Sequence, residues 1–272
     1  MKIAILSINI GNYICYWKEF YETAKLNFLP MHDRDFYVFT EHNDIDYGMN
    51  DDVHVVYQEN LGWPGNTLKR FHMFAGQNDK LKKYDYIFFV NANCVFLQRI
   101  GEEILPSEEE KLVFVKRQPP YLNLVKENHQ PFELNPLSMA CVKDTSMPYV
   151  RGGLNGGIAR YYLEMCDDLK TNIDIDEANG IVAVWHDESH INKYYQDHPE
   201  IRLLGPEYLY PEGMIMPYPK VIMNKKKNNN VMRGRKRNII NDFKQDIILS
   251  IRNIVYWCLI KVGYIKYEGN SK

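Results

Sequence analysis

The chain has 272 residues, of which 45% are apolar or aromatic and 25% are charged, which excludes a mostly disordered, collagen-like or low-complexity protein. Its length fits one large domain or two small ones. The net charge of −2 indicates no polyanionic partner such as nucleic acid, but it conceals an uneven distribution: residues 220–272 carry 13 Lys and Arg against three Asp and Glu, whereas the preceding residues carry 20 against 32.

The first half of the chain alternates strand-like and helix-like segments. Short apolar runs predict strands over residues 2–6, 36–40, 53–57, 86–90 and 111–116. Helical spacing predicts helices over 13–29 and 67–82, with Gly76 as a weak point in the second. This alternation indicates an α/β domain with a mainly parallel sheet, in which ligands bind at the carboxyl ends of the strands. The informative loops are therefore 7–12 and 91–93.

The second half is less regular. Residues 118–148 are rich in Pro and Asn and are expected to wrap the sheet. The glycine-rich stretch 151–157 (RGGLNGG) predicts a tight turn that opens a helix running to about residue 171. Such a helix start would favour an anion. Residues 187–198 predict another short helix.

The C-terminal tail has two parts. Residues 224–238 are basic and polar without a single acid, which predicts a mobile segment. Beyond them, one helix face is apolar, formed by Ile240, Phe243, Ile247, Ile251, Ile254, Cys258 and Val262. Lys244, Arg252 and Lys261 interrupt this segment, so it is not expected to span a bilayer. It could lie on an anionic membrane surface, or pack on its own protein or a partner, and both alternatives stay open.

The cysteines and the N-terminus both favour a cytoplasmic protein. The five cysteines are scattered without metal-site spacing and predict unpaired, buried thiols in a reducing compartment: Cys15, Cys94, Cys141, Cys166 and Cys258. The start of the chain, MKIAILSINIG, has neither a signal-peptide core nor a cleavage site, and no uninterrupted apolar run is long enough to predict a transmembrane helix.

Two polar motifs follow predicted elements. Asn91 and Asn93 come directly after a buried strand, and their side chains at i and i+2 point toward the same crevice. Seen alone, this motif is better explained by asparagines that simply end a strand. The segment WHDESH places two carboxylates and two imidazoles within six residues. A zinc helix of the H-E-x-x-H type is disfavoured, because Asp187 follows His186 and no third ligand is evident beside His190. Helix capping by Asp187 or Ser189 explains only part of this cluster.

Together these segments resemble glycosyltransferase family 6, the retaining family that includes the histo-blood-group A and B transferases. The resemblance covers about residues 1–235. It rests on YETAKLNF with FYVFT, YIFFVNANCVF, RGGLNGG and, above all, ANGIVAVWHDESHINKYY followed by GPEYLY. Eukaryotic members carry an N-terminal membrane anchor and stem that this sequence does not show, so it resembles the short bacterial members.

The resemblance implies a nucleotide-sugar-binding α/β fold of the GT-A type. It also implies transfer of galactose or N-acetylgalactosamine from a UDP donor to the 3-hydroxyl of a galactoside, with retention of the α configuration, and an α-1,2-fucosylated acceptor. The expected organisation is a glycosyltransferase domain over 1–223, a basic segment over 224–238 that closes over the donor diphosphate, and an amphipathic helix over 239–272. A non-catalytic glycan- or nucleotide-binding module is the competing hypothesis.

The same resemblance assigns roles to individual residues. For the uridine it implies Ile8, Ile10 and Tyr13, and for the donor sugar and diphosphate it implies Arg70, Asn91, Asn93, Arg151, Gly152, Gly153, Asp187, Lys227 and Arg233. On the acceptor side, Trp185 matches an aromatic residue and Gln118 stands near a family histidine. Glu188 matches the catalytic carboxylate, which can stabilise or attack the cationic anomeric carbon.

Asn91 and Asn93 stand where the family usually has the two aspartates of a D-x-D metal motif. Two neutral amides lack the charge that a hard divalent cation requires, so we expect no metal cofactor. The cations Lys227 and Arg233 would then stabilise the leaving diphosphate. Because Gly152 and Gly153 leave room for a C2 substituent, we expect UDP-N-acetylgalactosamine to be preferred over UDP-galactose.

Overall fold

The computed structural model describes residues 1–117, 132–225 and 239–265 of the chain. Its strands are β1 (Lys2–Ile8), β2 (Asp33–Thr40), β3 (Val53–Tyr57), β4 (Tyr86–Val90), β5 (Cys94–Phe96), β6 (Leu112–Lys116), β7 (Val150–Ile158), β8 (Arg202–Leu204), β9 (Tyr210–Pro211) and β10 (Ile222–Asn224). Its α-helices are α1 (Trp17–Asn27), α2 (Gly62–Leu68), α3 (Arg70–Ala75), α4 (Asn78–Leu81), α5 (Ala159–Ala178), α6 (Asp187–Asp197) and α7 (Ile239–Lys261).

Seven of these strands form a central sheet in the order β3-β2-β1-β4-β7-β6-β8. The pairs β1–β2, β2–β3, β1–β4 and β6–β8 are parallel, whereas β7 runs antiparallel to both of its neighbours. The predicted α/β class with a mainly parallel sheet is therefore confirmed, and the arrangement is compatible with a GT-A-type fold. A second, small sheet has the order β5-β10-β9.

Both faces of the central sheet are covered, which explains why its strands are nearly continuous apolar runs. In β1, Ile3 and Ile5 belong to the core on the α1 side with Trp17. The intervening Ala4 and Leu6 belong to the core on the other face, which α3 and α5 supply with Phe74 and Tyr162, among others.

The glycine-rich stretch is the main correction to the sequence prediction. It forms β7 in the middle of the sheet, and the helix begins only at Ala159. At Gly156, an added Cβ would collide with the Phe88 ring of β4. At Gly157, it would lie 2.8 Å from the Leu112 Cα of β6. These glycines therefore serve close strand packing, so the predicted turn, and with it the predicted anion site at a helix start, was wrong.

Two predicted helices are also broken. The predicted helix over 13–29 begins with a 3-10 turn over Gly11–Tyr16 before α1. The predicted helix over 67–82 is divided among α2, α3 and α4, and Gly76 follows directly after α3. The weak point at Gly76 was therefore identified correctly, while the continuity of the helix was not.

Helix α7 packs through one face on the part of the chain that precedes it, which we call the domain body (the described residues up to 225). Asn253 donates a 2.6 Å hydrogen bond to the Gly213 carbonyl and accepts one of 2.9 Å from the Ile215 amide. Tyr256, on the same side of the helix, is only 3% exposed. Within the described residues, no helix combines the length and the apolar character needed to cross a bilayer.

None of the five cysteines forms a disulfide bond, as predicted, but they are not uniformly buried. Cys94 and Cys166 are buried, whereas Cys15 and Cys258 are exposed. The exposed positions lie on the first 3-10 turn and on α7.

Candidate active site

The candidate site lies where β7 departs from its ladder with β6. The register jumps between Phe114 and Val115, which pair with Asn155 and Arg151, so the residues between those two bulge away from β6. A bulge of this kind leaves backbone groups without ladder partners, and buried groups need other ones. Here the N–H and carbonyl of Gly152 turn to side chains from two helices.

Glu188 receives a hydrogen bond on each carboxylate oxygen. The Gly152 N–H donates to Oε2 at 2.6 Å, and the Tyr149 hydroxyl donates to Oε1, also at 2.6 Å. An added Cβ on Gly152 would lie 3.2 Å from Glu188 Oε2, so a glycine permits this close approach. The carboxylate is thereby fixed by one main-chain and one side-chain donor.

Arg70 and Asp187 form a buried ion pair beside Glu188. Arg70 Nη2 lies 2.5 Å from Asp187 Oδ2, and Nη1 of the same guanidinium donates to the Gly152 carbonyl. The guanidinium also stacks over the Phe89 ring, with its Cζ 4.2 Å from the ring centroid. One arginine therefore connects α3, β7 and the first residue of α6.

Asp187 is completely buried. Burial raises the pKa of this carboxyl to about 6, the Arg70 charge opposes the rise and the Glu188 charge adds to it. Backbone N–H groups of Asp187 and Glu188 at the start of α6 also lower this pKa. The carboxylate is therefore held in place by Arg70 and by the first turn of α6.

The start of α6 is set by its neighbours. His186, directly before it, has φ 56° and ψ −126°, a left-handed conformation that L side chains rarely adopt. Within the helix, the buried Asn192 accepts from the Val150 amide at 2.9 Å, donates to the Val150 carbonyl at 2.9 Å and donates to the Glu188 carbonyl at 2.8 Å. These bonds fasten α6 to β7 and so fix Glu188 relative to Gly152.

The two asparagines after β4 lie at the same edge of the sheet but have different contacts. The Asn91 amide nitrogen lies against Gly153, 2.9 Å from where a Cβ would stand, and the Asn91 N–H donates to the Gly153 carbonyl at 2.8 Å. Asn93 is 2% exposed, and its Nδ2 donates to Asn224 Oδ1 at 2.5 Å and to the Lys225 carbonyl at 2.6 Å. Asn93 therefore fastens the end of β10 beside the site.

The turn that bears Asn91 and Asn93 offers a divalent metal only neutral side-chain ligands. The Asn93 amide is oriented by two acceptors, Asn224 Oδ1 and the Lys225 carbonyl, and an aspartate at this position would be repelled by both. In the part of the chain that the structure describes, no three His, Cys, Asp or Glu side chains are grouped to hold a metal. His190 is buried against Asp176, with Nε2 3.5 Å from Oδ2, and burial lowers the pKa of this histidine to about 4.

The remaining predicted site residues differ in how exposed they are. Ile8 and Tyr13 are half-buried at the carboxyl end of β1, whereas Ile10 is buried in the core. Arg151 donates to the Leu209 carbonyl at 2.7 Å. Trp185 is exposed two residues before Asp187. Gln118, Lys227 and Arg233 lie outside the described residues.

Several side chains of the site were missed by the sequence analysis. Tyr149 immediately precedes β7 and lies outside every quoted motif. Asn192, on the inner side of α6, lies within ANGIVAVWHDESHINKYY but was assigned no role. Trp63 is another: its ring is exposed and lies 4.6 Å from the His186 ring, centroid to centroid. The sequence signal that could have identified Asn192 is its spacing. It follows Glu188 by four residues, so the two side chains lie on the same face of a helix.

Comparisons with known proteins identify a family for this chain. The family model described as glycosyltransferase family 6 matches residues 1–234. Histo-blood group ABO system transferase 1 of Rattus norvegicus is 28% identical over 221 residues, which are 78% of this chain and 62% of the relative. Globoside alpha-1,3-N-acetylgalactosaminyltransferase 1 of Gallus gallus is 25% identical over 233 residues, covering 82% of this chain and 65% of the relative.

A bacterial relative is similar over more of its own length. O-antigen biosynthesis glycosyltransferase WbnI of Escherichia coli is 30% identical over 213 residues, or 78% of this chain and 89% of the relative. The chain thus spans somewhat less than two thirds of the two animal relatives and most of the bacterial one. Since the family model covers the whole domain body, the chain belongs to glycosyltransferase family 6.

Proposed function

We propose that this chain is a retaining α-1,3-glycosyltransferase that transfers N-acetylgalactosamine, or galactose, from a UDP donor to the 3-hydroxyl of a galactoside. An α-1,2-fucosylated galactoside is the proposed acceptor. The observation that carries the proposal is the Glu188 carboxylate, fixed by Tyr149 and Gly152 and adjacent to the buried Arg70–Asp187 pair. Family membership supports the reaction class, and the names of the relatives support the sugars.

The proposed chemistry uses these residues in distinct roles. Positive charge develops at the anomeric carbon as the sugar–phosphate bond breaks and UDP leaves with the bonding electrons. The acceptor 3-hydroxyl oxygen bonds to that carbon, and its proton passes to the departing phosphate. The Glu188 carboxylate stabilises that carbon from beneath the ring. Asp187, buried beside Glu188 and paired with Arg70, is proposed to accept hydrogen bonds from hydroxyls of the donor sugar. Arg70 keeps Asp187 ionised and fixes its position.

The acceptor is proposed to enter on the side of the exposed aromatic rings. Trp185 and Trp63 both present large apolar surfaces to solvent, and the His186 ring, directly before α6, packs against Trp63. Sugar rings have apolar faces that pack on aromatic side chains while their hydroxyls contact polar neighbours. An acceptor bound on these rings is proposed to present its 3-hydroxyl toward Glu188.

We also propose that catalysis proceeds without a divalent metal. The support is the pair of neutral side chains at Asn91 and Asn93 and the anchoring bonds of Asn93. Lys227 and Arg233 are proposed to bind the diphosphate, the role that the family resemblance implies for them.

The test is UDP release from UDP-N-acetylgalactosamine in the presence and absence of a fucosylated galactoside, with the linkage of the product determined by NMR. Native enzyme is expected to form an α-1,3 product. Glu188→Gln is expected to lower turnover by several powers of ten while donor binding, measured by calorimetry, survives. Donor binding by the native chain without UDP release on any galactoside would instead identify a binding module.

A further inference from the structure

Helix α7 carries an apolar face that is exposed to solvent. The helix is attached through the side that bears Asn253 and Tyr256. At about 100° per residue, Ile247, Ile251 and Ile254 project from the opposite side. Their exposures agree with this: Ile251 is 52% exposed and Ile254 is 63% exposed.

The exposed surface extends from residue 247 to the C-terminal end of the helix. Its described members share helical spacing and large solvent-exposed areas: Ile247, Ile251, Ile254, Cys258 and Val262. Trp257, 53% exposed, flanks it, and Tyr264 follows just beyond the helix. We call these seven residues the outward face of α7. A contiguous apolar patch of this kind on a protein surface marks an interaction site.

The charges around the outward face are mainly positive. Lys244 and Lys261 are exposed near its two ends, and Lys261 Nζ lies 5.7 Å from the centre of the Trp257 ring. Arg252 is half-buried, and Asp246 is the one acid among the described side chains from residue 244 to residue 265. In the sequence, residues 225–237, just before the helix, contain seven Lys and Arg and no acid. An anionic partner therefore complements this region.

We propose that the outward face of α7 docks on an anionic lipid bilayer, with the isoleucines in the headgroup–acyl boundary and the cations among the lipid phosphates. An apolar stripe flanked by Trp and Lys is the composition that stabilises a helix lying in this plane. Tryptophan and tyrosine prefer the same depth. Electrostatic attraction to anionic headgroups adds to the apolar burial.

A second copy of the chain is a poorer occupant of this face. If two α7 helices paired antiparallel through the outward face, Lys244 of each would approach Lys261 of the other, and a parallel pair would bring identical lysines together. Like charges that meet across an interface weaken it. Lipid phosphates, in contrast, are complementary along the whole helix.

The test is flotation of the full chain with mixed vesicles of phosphatidylcholine and anionic phosphatidylglycerol, compared with vesicles of pure phosphatidylcholine. The native chain is expected to float with the anionic vesicles and to be released by high salt. Ile251→Glu with Ile254→Glu is expected to lower lipid partition at least tenfold. Met31→Glu with Met49→Glu adds the same two charges at exposed positions elsewhere and is the matched control, expected to bind like the native chain.

A second measurement does not depend on the folding of that double variant. The fluorescence of Trp257 is obtained as the difference between the emission of the native chain and that of Trp257→Phe. Brominated lipids in the anionic vesicles are expected to quench this fluorescence, because Trp257 lies at the edge of the outward face. Equal flotation of the Ile251/Ile254 variant and the native chain, or no quenching of Trp257, overturns the proposal. So does a native dimer, measured by light scattering, that the same variant dissociates without any lipid binding. UDP release on a soluble acceptor is expected to be unchanged in the isoleucine variant, which separates this proposal from the proposed catalysis.

Discussion

Tyr149 and Glu188 are 39 residues apart in the sequence, yet the Tyr149 hydroxyl donates a 2.6 Å hydrogen bond to Glu188 Oε1. Burial and the nearby Glu188 charge raise the pKa of Tyr149 well above its usual value, so the phenol stays protonated and remains a donor. With Gly152 on the other oxygen, Tyr149 restricts the carboxylate to one orientation beneath the candidate donor site.

Tyr149→Phe is expected to lower kcat about tenfold to a hundredfold, because a hydrogen bond to a charged group contributes about 1.5–3 kcal/mol. The donor KM should change little, since the hydroxyl is proposed to position Glu188 rather than to touch the donor. Tyr57→Phe, at an exposed tyrosine on β3, is the control. A native kcat in Tyr149→Phe would show that Gly152 alone suffices to orient Glu188.

Gly153→Ala is expected to change donor preference through Asn91. An added Cβ would lie 2.9 Å from Asn91 Nδ2 and 3.3 Å from a Leu209 methyl, so the amide must move. The space beside this glycine is therefore filled by neighbouring side chains, a different reason for glycine than the open room expected from sequence. Native enzyme should prefer UDP-N-acetylgalactosamine, and the ratio of kcat/KM for the two donors should fall in Gly153→Ala.

Gly180→Ala is a control for the effect of adding a methyl group, because nothing lies within 4 Å of its Cβ position, although its positive φ of 70° carries its own strain. If native enzyme uses UDP-galactose and UDP-N-acetylgalactosamine equally well, the region around Gly153 does not determine the choice of donor.

Asn93→Asp is expected to damage the enzyme without creating metal dependence. A carboxylate cannot donate to Asn224 Oδ1 or the Lys225 carbonyl, and it would face both acceptors with negative charge. The free energy of unfolding should fall by about 1–3 kcal/mol, measured by urea denaturation. Native activity should be insensitive to EDTA, and manganese should not restore the variant.

Asn91→Asp provides the comparison, because the hydrogen bond from Asn91 to Gly153 uses the backbone amide. It should unfold at nearly the native urea concentration. Strict dependence of the native enzyme on an added divalent ion would contradict the proposal and would require ligands elsewhere.

The pH dependence of activity should report Asp187. Its folded pKa of about 6 lies above the ordinary carboxyl value, so the group is ionised above pH 6 and becomes protonated as the pH falls through 6. Protonation removes the charge that pairs with Arg70, so kcat/KM should decline on the acid side with an apparent pKa near 6. The effect of Asp187 on the stability of the fold runs the other way. Because folding favours the protonated carboxyl, the ionised carboxylate lowers the free energy of unfolding above pH 6. This destabilisation disappears as the pH falls from about 6 toward the ordinary carboxyl pKa.

Asp187→Asn should abolish this acid limb in the residual activity, whereas Asp174→Asn, at an exposed carboxylate on α5, should leave it in place. An unchanged acid limb in Asp187→Asn would assign it to another group.

The sequence predicted the parallel half of the fold closely because its signals are local. Strands β3 and β4 have the predicted bounds, and α6 ends within one residue of its prediction. Strand β7 was missed because a run with four glycines resembles a turn when seen alone. It becomes a strand only through β4 and β6, whose Phe88 and Leu112 occupy the space above the glycines.

In the candidate site, too, local motifs were predicted from sequence, whereas contacts between distant residues were not. Family resemblance brought Arg70, Gly152, Asp187 and Glu188 together, and the structure places them in direct contact. It could not supply Tyr149, because a hydrogen bond between residues so distant in the sequence leaves no periodic signal. The sequence showed that Asn93 is uncharged. It did not show that Asn93 donates hydrogen bonds to residues 224 and 225, which are more than 130 positions later in the chain.

The pairing of β5 with β10 determines the order in which this region can be assembled during synthesis. Strands β1 to β4 are complete once residue 90 has emerged, but β5 obtains its antiparallel partner only when residues 222–224 are made. Until then, the nascent chain carries an unpaired strand edge immediately after the turn that bears Asn91 and Asn93. Such edges pair readily with other chains. Premature release before residue 222 would therefore yield a product with a nearly complete central sheet and an aggregation-prone edge beside an unfinished active site.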